Sequence, residues 1–311
     1  MSVVVTGGAG FVGSHLVDAL VARGESVVIC DDFSTGSAEN VKVALASGQV
    51  TLLDVDVSAN IPDVADVTEV YHLASPASPP AYLARPLETL AVGSEGTRRA
   101  LELARRHNAR FLLASTSEVY GDPLEHPQRE SYWGNVNPVG PRSVYDEAKR
   151  FAEALATAEA QVHGTKVAIV RIFNTYGPRL SEGDGRVVSN FINQALRGEP
   201  ITIYGSGEQT RSLCYVSDLV EGLMAACAKS LVRPINLGNP VEMTINDIAR
   251  HVMTLIPSSS TLDYLELPTD DPTRRRPDIS LAREVLGWEP QVDVTTGLSR
   301  TIEYFRARFE A

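Results

Sequence analysis

Tyr145 and Lys149 are the residues of this chain whose types and spacing could do chemistry together. They lie in Ser143-Val144-Tyr145-Asp146-Glu147-Ala148-Lys149, at the start of a run, Tyr145 to His163, that reads as one helix. A spacing of four puts the phenol and the ammonium on one helical face, about 5 to 6 Å apart at Cβ. A cation there favours the phenolate and lowers a tyrosine pKa from its reference of about 10 towards neutrality. The product is a base for an alcohol or sugar hydroxyl. Ser143 is the expected N-cap, and Pro138 and Pro141 keep the preceding segment extended. The same spacing also fits an exposed helix with no site, so the surroundings must decide.

Those surroundings begin at the N-terminus. Val3-Val4-Val5-Thr6 reads as a buried strand, followed by the glycine turn Gly7, Gly8, Gly10, Phe11, Val12, Gly13 and the apolar-periodic Leu16, Val17, Ala19, Leu20. Strand, glycine turn and helix in that order let the backbone approach a pyrophosphate, which the helix N-terminus favours with amide donors and positive dipole. A second strand, Ser26 to Cys30, ends at Asp31-Asp32. A carboxylate there accepts hydrogen bonds from an adenosine ribose and repels a 2′-phosphate. No arginine stands near it along the chain and the next basic residue is Lys42, which favours NAD over NADP.

Further strands are expected at Val50–Val55, Glu69–Ala74, Arg110–Ser115 and Lys166–Arg171, with helical patterns between them. That alternation implies a parallel sheet with crossovers, whose strand ends face the ligand crevice. Ser75 and Thr116-Ser117-Glu118 follow such ends and are candidates; a turn or cap explains them equally well. His72, inside an apolar strand, reads as a core histidine, and Ser75 to Pro80 as a rigid loop. Beyond about residue 175 come short segments rich in Gly, Pro and Arg, which suit a smaller second domain. The expected division is therefore 1–175 and 176–311, with the chain crossing between lobes. Leu298 to Phe309 reads as an amphipathic helix for packing.

Composition narrows the classes. A 43% hydrophobic and 22% charged chain of 311 residues is that of a soluble globular protein. No apolar run approaches the roughly 18 residues needed to span a bilayer, and the N-terminus enters a strand with no basic leader. Cys30, Cys214 and Cys227 are scattered and odd in number, which suggests reduced thiols in a cytoplasmic protein. Without Cys-x-x-Cys or His-Glu-x-x-His, no metal site is expected. A net charge of −11 repels nucleic acid and anionic lipid, so an anionic ligand needs local cations.

The pattern G-x-x-G-x-x-G with Tyr145 and Lys149 resembles the extended short-chain dehydrogenase/reductase family, in its nucleotide-sugar-modifying branch. Leu73 to Pro80, Thr116 to Pro123, Tyr132 to Pro138, Arg171 to Pro178, Asp184 to Phe191 and Arg274 to Ile279 are similar to the UDP-glucuronate decarboxylase family within it. The resemblance runs nearly end to end. It implies an α/β fold, a Rossmann-like doubly wound parallel sheet with a smaller C-terminal substrate-binding α/β domain. It adds Phe33, Ser34, Thr35, Gly36, Asp56, Val57, Leu73, Ser75 and Thr175 to the cofactor residues Gly7, Gly10, Phe11, Val12, Gly13, Asp31 and Asp32, with Tyr145 and Lys149 at the nicotinamide end. Asn174, Arg186, Ser189, Tyr204, Arg211 and Arg275 are implied for the nucleotide sugar; a diphosphate needs arginine forks and a uracil needs a flat partner. Of Arg274-Arg275-Arg276, the resemblance singles out Arg275, while the run by itself reads as an exposed charged loop.

In that branch, dehydratases typically carry Thr-Asp-Glu where this chain has Thr116-Ser117-Glu118, and 4-epimerases a small residue where Glu118 stands. The resemblance therefore implies conversion of UDP-glucuronate to UDP-xylose through a 4-keto sugar, NAD being recycled, with Tyr145, Lys149, Thr116, Ser117, Glu118 and Arg275 catalytic. A UDP-glucuronate 4-epimerase, a decarboxylase that releases the 4-keto pentose, and a non-catalytic NAD-sensing regulator are the alternatives. Val144 and Ala148 stand where relatives have Cys and Gly. Ala91-Val92-Gly93 replaces a usual Lys-Thr-Asn, removing a cation beside the site. The resemblance also implies a homodimer through a four-helix bundle of the helices beginning near Leu87 and Tyr145, with Leu101, Ala104, Phe151 and Leu155 on the outer faces.

Overall fold

The computed structural model describes residues 1–267 and 274–310. Its centre is a sheet of seven parallel strands. β1 (Ser2–Thr6), β2 (Ser26–Asp31), β3 (Val50–Asp54), β4 (Val67–His72), β5 (Arg110–Thr116) and β6 (Lys166–Ile172) are joined by a seventh strand, Pro234–Leu237, which pairs with β6. From that edge the order is seventh, β6, β5, β4, β1, β2, β3. The strands are Val- and Ile-rich because both faces are covered, so neither face needs to be polar. Val3 and Val5 enter one core with Leu16, Val17 and Leu20 of the helix Phe11–Ala22, while Val4 enters the other with Val70, Leu103 and Ala152. Successive side chains of a strand point to opposite faces, so one apolar run feeds both layers.

Chain order reverses at β1 and β4, and the crevice for a ligand opens above the C-terminal ends of these strands. Two glycines shape its floor. Gly7 has φ +70, and a methyl on it would lie 2.7 Å from the Ala74 amide nitrogen just past β4. A methyl on Gly13 would lie 2.1 Å from the Gly7 carbonyl oxygen. The turn thus wraps against the first turn of its own helix, leaving amides rather than side chains at the crevice.

The helix Ser143–His163 lies against β5 and β6 and ends at Gly164 in the left-handed region. Ser143 is its first helical residue, not its cap. Arg142 takes the cap position without a side-chain cap bond, since a guanidinium has no acceptor for the first helical amides, and it pairs instead with Glu118. Leu101 and Ala104, on the helix Thr97–Arg106, are fully buried rather than outward-facing, whereas Phe151 is half exposed and Leu87 three-quarters exposed.

The second lobe contains the helices Val187–Arg197, Ile245–Leu255 and Val294–Phe309, packed together around a parallel pair of strands, Ile201–Tyr204 and Leu262–Leu265. A three-stranded ribbon places Arg274–Arg275 parallel to Thr210–Ser212, with Arg275 opposite Arg211. The chain recrosses after residue 175: the helix Val216–Lys229 packs on β5 and β6, and the seventh strand completes the large sheet. Among the described residues no helix is long and apolar enough to cross a membrane, and the three cysteines are buried and unpaired. Gly13→Ala should destabilise the chain by about 1–3 kcal/mol through overpacking, read by circular dichroism as a lowered thermal midpoint.

Candidate active site

A cavity of about 1310 Å³ runs from the glycine turn across the sheet ends into the second lobe. Its wall includes Gly7, Gly10, Phe11, Val12, Gly13, Asp31, Asp32, Phe33, Ser34, Thr35, Gly36, Asp56, Val57, Leu73, Ser75 and Thr175. Tyr145, Lys149, Thr116, Glu118, Asn174, Arg186, Tyr204, Arg211 and Arg275 share the same wall. Ser117 and Ser189 do not line it. Ser117 is buried, with its carbonyl accepting a bond from Arg275, and the Ser189 hydroxyl turns back to the Arg186 carbonyl at 3.0 Å. The helix Val294–Phe309 does more than pack, since Tyr304 and Arg308 reach the cavity edge.

Tyr145 and Lys149 are together, but not arranged as expected. The Lys149 Nζ donates to the Ala114 carbonyl at 2.9 Å and lies 5.8 Å from the Tyr145 ring centre. Burial drops its own pKa to about 8. Burial likewise pushes the Tyr145 phenol up to about 12, against a hydrogen bond from Thr116 and the nearby charge of Arg186. The direction is opposite to the one that spacing alone suggests, because desolvation outweighs the pull of nearby positive charge. Tyr82, which the sequence reading missed, stacks on Tyr145 with ring centres 5.2 Å apart and planes 5° from parallel. Its hydroxyl is buried with no partner among the described residues. The only signal was its place in the rigid Pro79-Pro80 segment.

Behind Thr116, the Ser115 hydroxyl donates to Glu153 at 2.6 Å, and Arg171 forks the same carboxylate at 2.9 and 2.8 Å. This braces the end of β5. His72 is a core histidine between the Thr6 and Thr97 hydroxyls, 2.8 and 3.1 Å away, and burial lowers its pKa to about 3.

Glu118 is the electrostatic centre of the wall. Burial pushes its carboxyl up, but the Arg275 and Arg142 guanidiniums outweigh that and hold it at about 2. Arg275 is only 2% exposed; it reaches Glu118 at 3.3 Å and the Gly121 carbonyl at 3.1 Å besides the Ser117 carbonyl. Arg274 beside it is exposed and Arg276 is half-buried, so the triplet is one anchor and two surface residues. Asp146 is buried next to Tyr145, and one of its oxygens has no partner among the described residues. Burial, then Glu118, raises its pKa to about 7.

On the opposite wall, Asp31 accepts from the Ala9 and Phe33 amides, 2.9 Å each, which closes the glycine turn onto the loop after β2. Asp32 is exposed and accepts from the Ser34 amide at 2.9 Å. The reading that no arginine stands near holds along the chain but not in space: Arg85 donates to the Ser34 carbonyl at 2.5 Å. A glycine-rich turn at a helix N-terminus, followed by carboxylates at the end of β2, fits a dinucleotide.

The same architecture recurs among known proteins. Residues 3–238 match the NAD dependent epimerase/dehydratase family. The chain belongs to that family. It is NAD-dependent. Within the family, it is 52% identical over 308 residues to UDP-glucuronic acid decarboxylase 1 of Arabidopsis thaliana, covering 99% of this chain and 70% of that protein. A UDP-glucose 4-epimerase from Thermotoga maritima, solved with UDP-glucose, superposes with a TM-score of 0.90 at 29% identity, covering 99% of this chain and 100% of that one. A UDP-glucuronic acid 4-epimerase from Bacillus cereus, solved with UDP-glucuronic acid and NAD, gives 0.87 at 26%, with 99% and 100% covered.

Asp146 yields a prediction with a definite sign. The folded carboxyl keeps its proton to about pH 7, whereas the unfolded one, with a reference value of 3.8, loses it earlier. Stability from this group is therefore greatest below about pH 4 and falls as pH rises to about 7. Asp146→Asn should be more stable than the parent at pH 8 by about 1–3 kcal/mol and equal to it near pH 4. Urea unfolding at both pH values measures this, and an unchanged difference between them would refute the assignment.

Proposed function

We propose that this chain is a UDP-glucuronate decarboxylase, yielding UDP-xylose and CO2 with NAD regenerated within each turnover. The observation that carries this reading is Glu118, ionised between Arg142 and Arg275 on the wall that also holds Tyr145 and Thr116. The decarboxylase relatives at 52% identity support it. Serine at position 117, with its side chain off the cavity, leaves no acid there to expel a hydroxyl as water.

When bound, NAD would supply the hydride acceptor and donor for C4 of the sugar and a positive charge that favours the Tyr145 phenolate. Tyr145, as that phenolate, takes the proton from the C4 hydroxyl, and Thr116, already bonded to the phenol oxygen, steadies that position. The 4-ketone lies β to the C6 carboxylate, so the C5–C6 bond breaks to release CO2 and its electrons delocalise onto the ketone oxygen. Tyr145 and Thr116 then donate to that oxygen as its charge grows. C5 takes up a proton and reduction at C4 completes UDP-xylose. A carboxyl held at about 2 is ionised at any working pH, so Glu118 orients sugar hydroxyls and the two guanidiniums instead of donating a proton. Lys149 holds the cofactor ribose. Residues 1–175 supply the NAD side of this division. Residues 176–311 supply most of the nucleotide-sugar side, through Arg186, Arg211 and Arg275, with Asn174 at the border and Tyr204 beneath the uracil.

We also propose a homodimer through the helices around Pro86–Ala91 and Ser143–His163, whose exposed Leu87, Leu90 and Phe151 favour burial. Cytoplasmic residence fits the three buried, unpaired thiols.

Incubation with UDP-glucuronate, following CO2 and the NADH absorbance band, should give CO2 without net NADH. CO2 with NADH would indicate release of the keto pentose, and an altered sugar without CO2 would indicate epimerisation. Tyr145→Phe should cut turnover by about 10²- to 10⁴-fold. Phe151→Glu should convert the dimer to monomer in light scattering; a parent already monomeric would refute the dimer.

A further inference from the structure

The loop after β2 is held in a costly conformation. Phe33, a non-glycine residue, sits at φ +55, and such backbones persist only where the surroundings over-determine them. Three bonds do so. Asp31 accepts from the Phe33 amide, Asp32 accepts from the Ser34 amide, and the Ser34 carbonyl accepts from Arg85. Ser34 is thus gripped at both ends, its amide by the exposed carboxylate and its carbonyl by a guanidinium from 51 residues along the chain.

Arg85 comes from a stiff segment. It stands between the short helices Pro79–Ala84 and Pro86–Ala91, and its own carbonyl accepts from both the amide and the hydroxyl of buried Thr89, at 3.0 and 2.7 Å. Three residues before it, Tyr82 stacks on Tyr145. Pro80 closes against the second lobe, where a methyl on Gly185 would come within 2.7 Å of its Cγ. One segment therefore touches the ribose-side loop, the phenol and the opposite lobe.

We propose that Arg85 is a positioning residue that latches the 33–36 loop over the adenosine end of NAD, keeping the dinucleotide in place while the keto sugar awaits reduction. The inference rests on the NAD-recycling reading above. Arg85 touches neither reacting atom; it acts through Ser34 on the orientation of Asp32. A charged donor to a carbonyl in a half-buried place is a strong hydrogen bond, and its loss should show in NAD affinity and not in affinity for the sugar nucleotide.

The test compares Arg85→Ala and Arg85→Lys with the parent, all stripped of nucleotide, by calorimetric titration with NAD and separately with UDP. For Arg85→Ala the expected result is a Kd for NAD raised about tenfold, UDP binding unchanged, and NADH appearing in solution during turnover of UDP-glucuronate. Arg85→Lys, which retains a cationic donor, should recover part of the affinity. NAD binding within twofold of the parent, or equal weakening for UDP and NAD, would overturn the latch. If the parent binds NAD but forms no CO2, and Arg85→Ala still loses NAD affinity, the decarboxylase reading fails and the latch stands.

Discussion

Glu118 can stay charged inside this protein only because two guanidiniums meet it there. An unpaired carboxylate in such a place would cost several kcal/mol, so Arg142 and Arg275 are conditions for the turn after β5 to exist as it does. The converse holds for Arg275, which is almost fully buried and spends its donors on Glu118 and on the Ser117 and Gly121 carbonyls. Arg142 begins the helix that carries Tyr145, and Arg275 sits on a strand of the second lobe. One ion cluster therefore joins the sheet, the helix bearing the phenol and the far lobe.

The same burial that makes this cluster strong sets the acid–base character of its neighbours. Desolvation raises Tyr145 and Asp146 and lowers Lys149 and His72. Each of these shifts disfavours charge, whereas Glu118 is pulled towards it by its guanidinium partners. Within this wall Glu118 is a fixed negative charge held between two positive partners, Arg142 and Arg275.

Much of this was legible in the chain itself. Apolar runs of four to six residues alternating with helical periodicity announce a parallel sheet, and six strands lie where that pattern puts them. The glycine turn and the acids after β2 are local features, readable because function there depends on backbone and on neighbours in sequence. What escaped was long-range. The stacking of Tyr82 on Tyr145 and the reach of Arg85 to Ser34 link positions 63 and 51 apart. The expected effect of Lys149 on Tyr145 failed for a related reason, since helical spacing reports proximity but not desolvation. The seventh strand, Pro234–Leu237, was hidden by its shortness and its place after the second lobe begins.

That late strand also bears on how the chain comes into being. β6 is complete at Ile172, yet the neighbour that satisfies its outer row of amides and carbonyls is Pro234–Leu237. A chain growing from the ribosome must carry that open edge through the synthesis of several second-lobe elements, and bare edges recruit foreign strands. The interleaving that joins the lobes thus leaves the nascent polypeptide vulnerable to mispairing until its last sheet segment emerges.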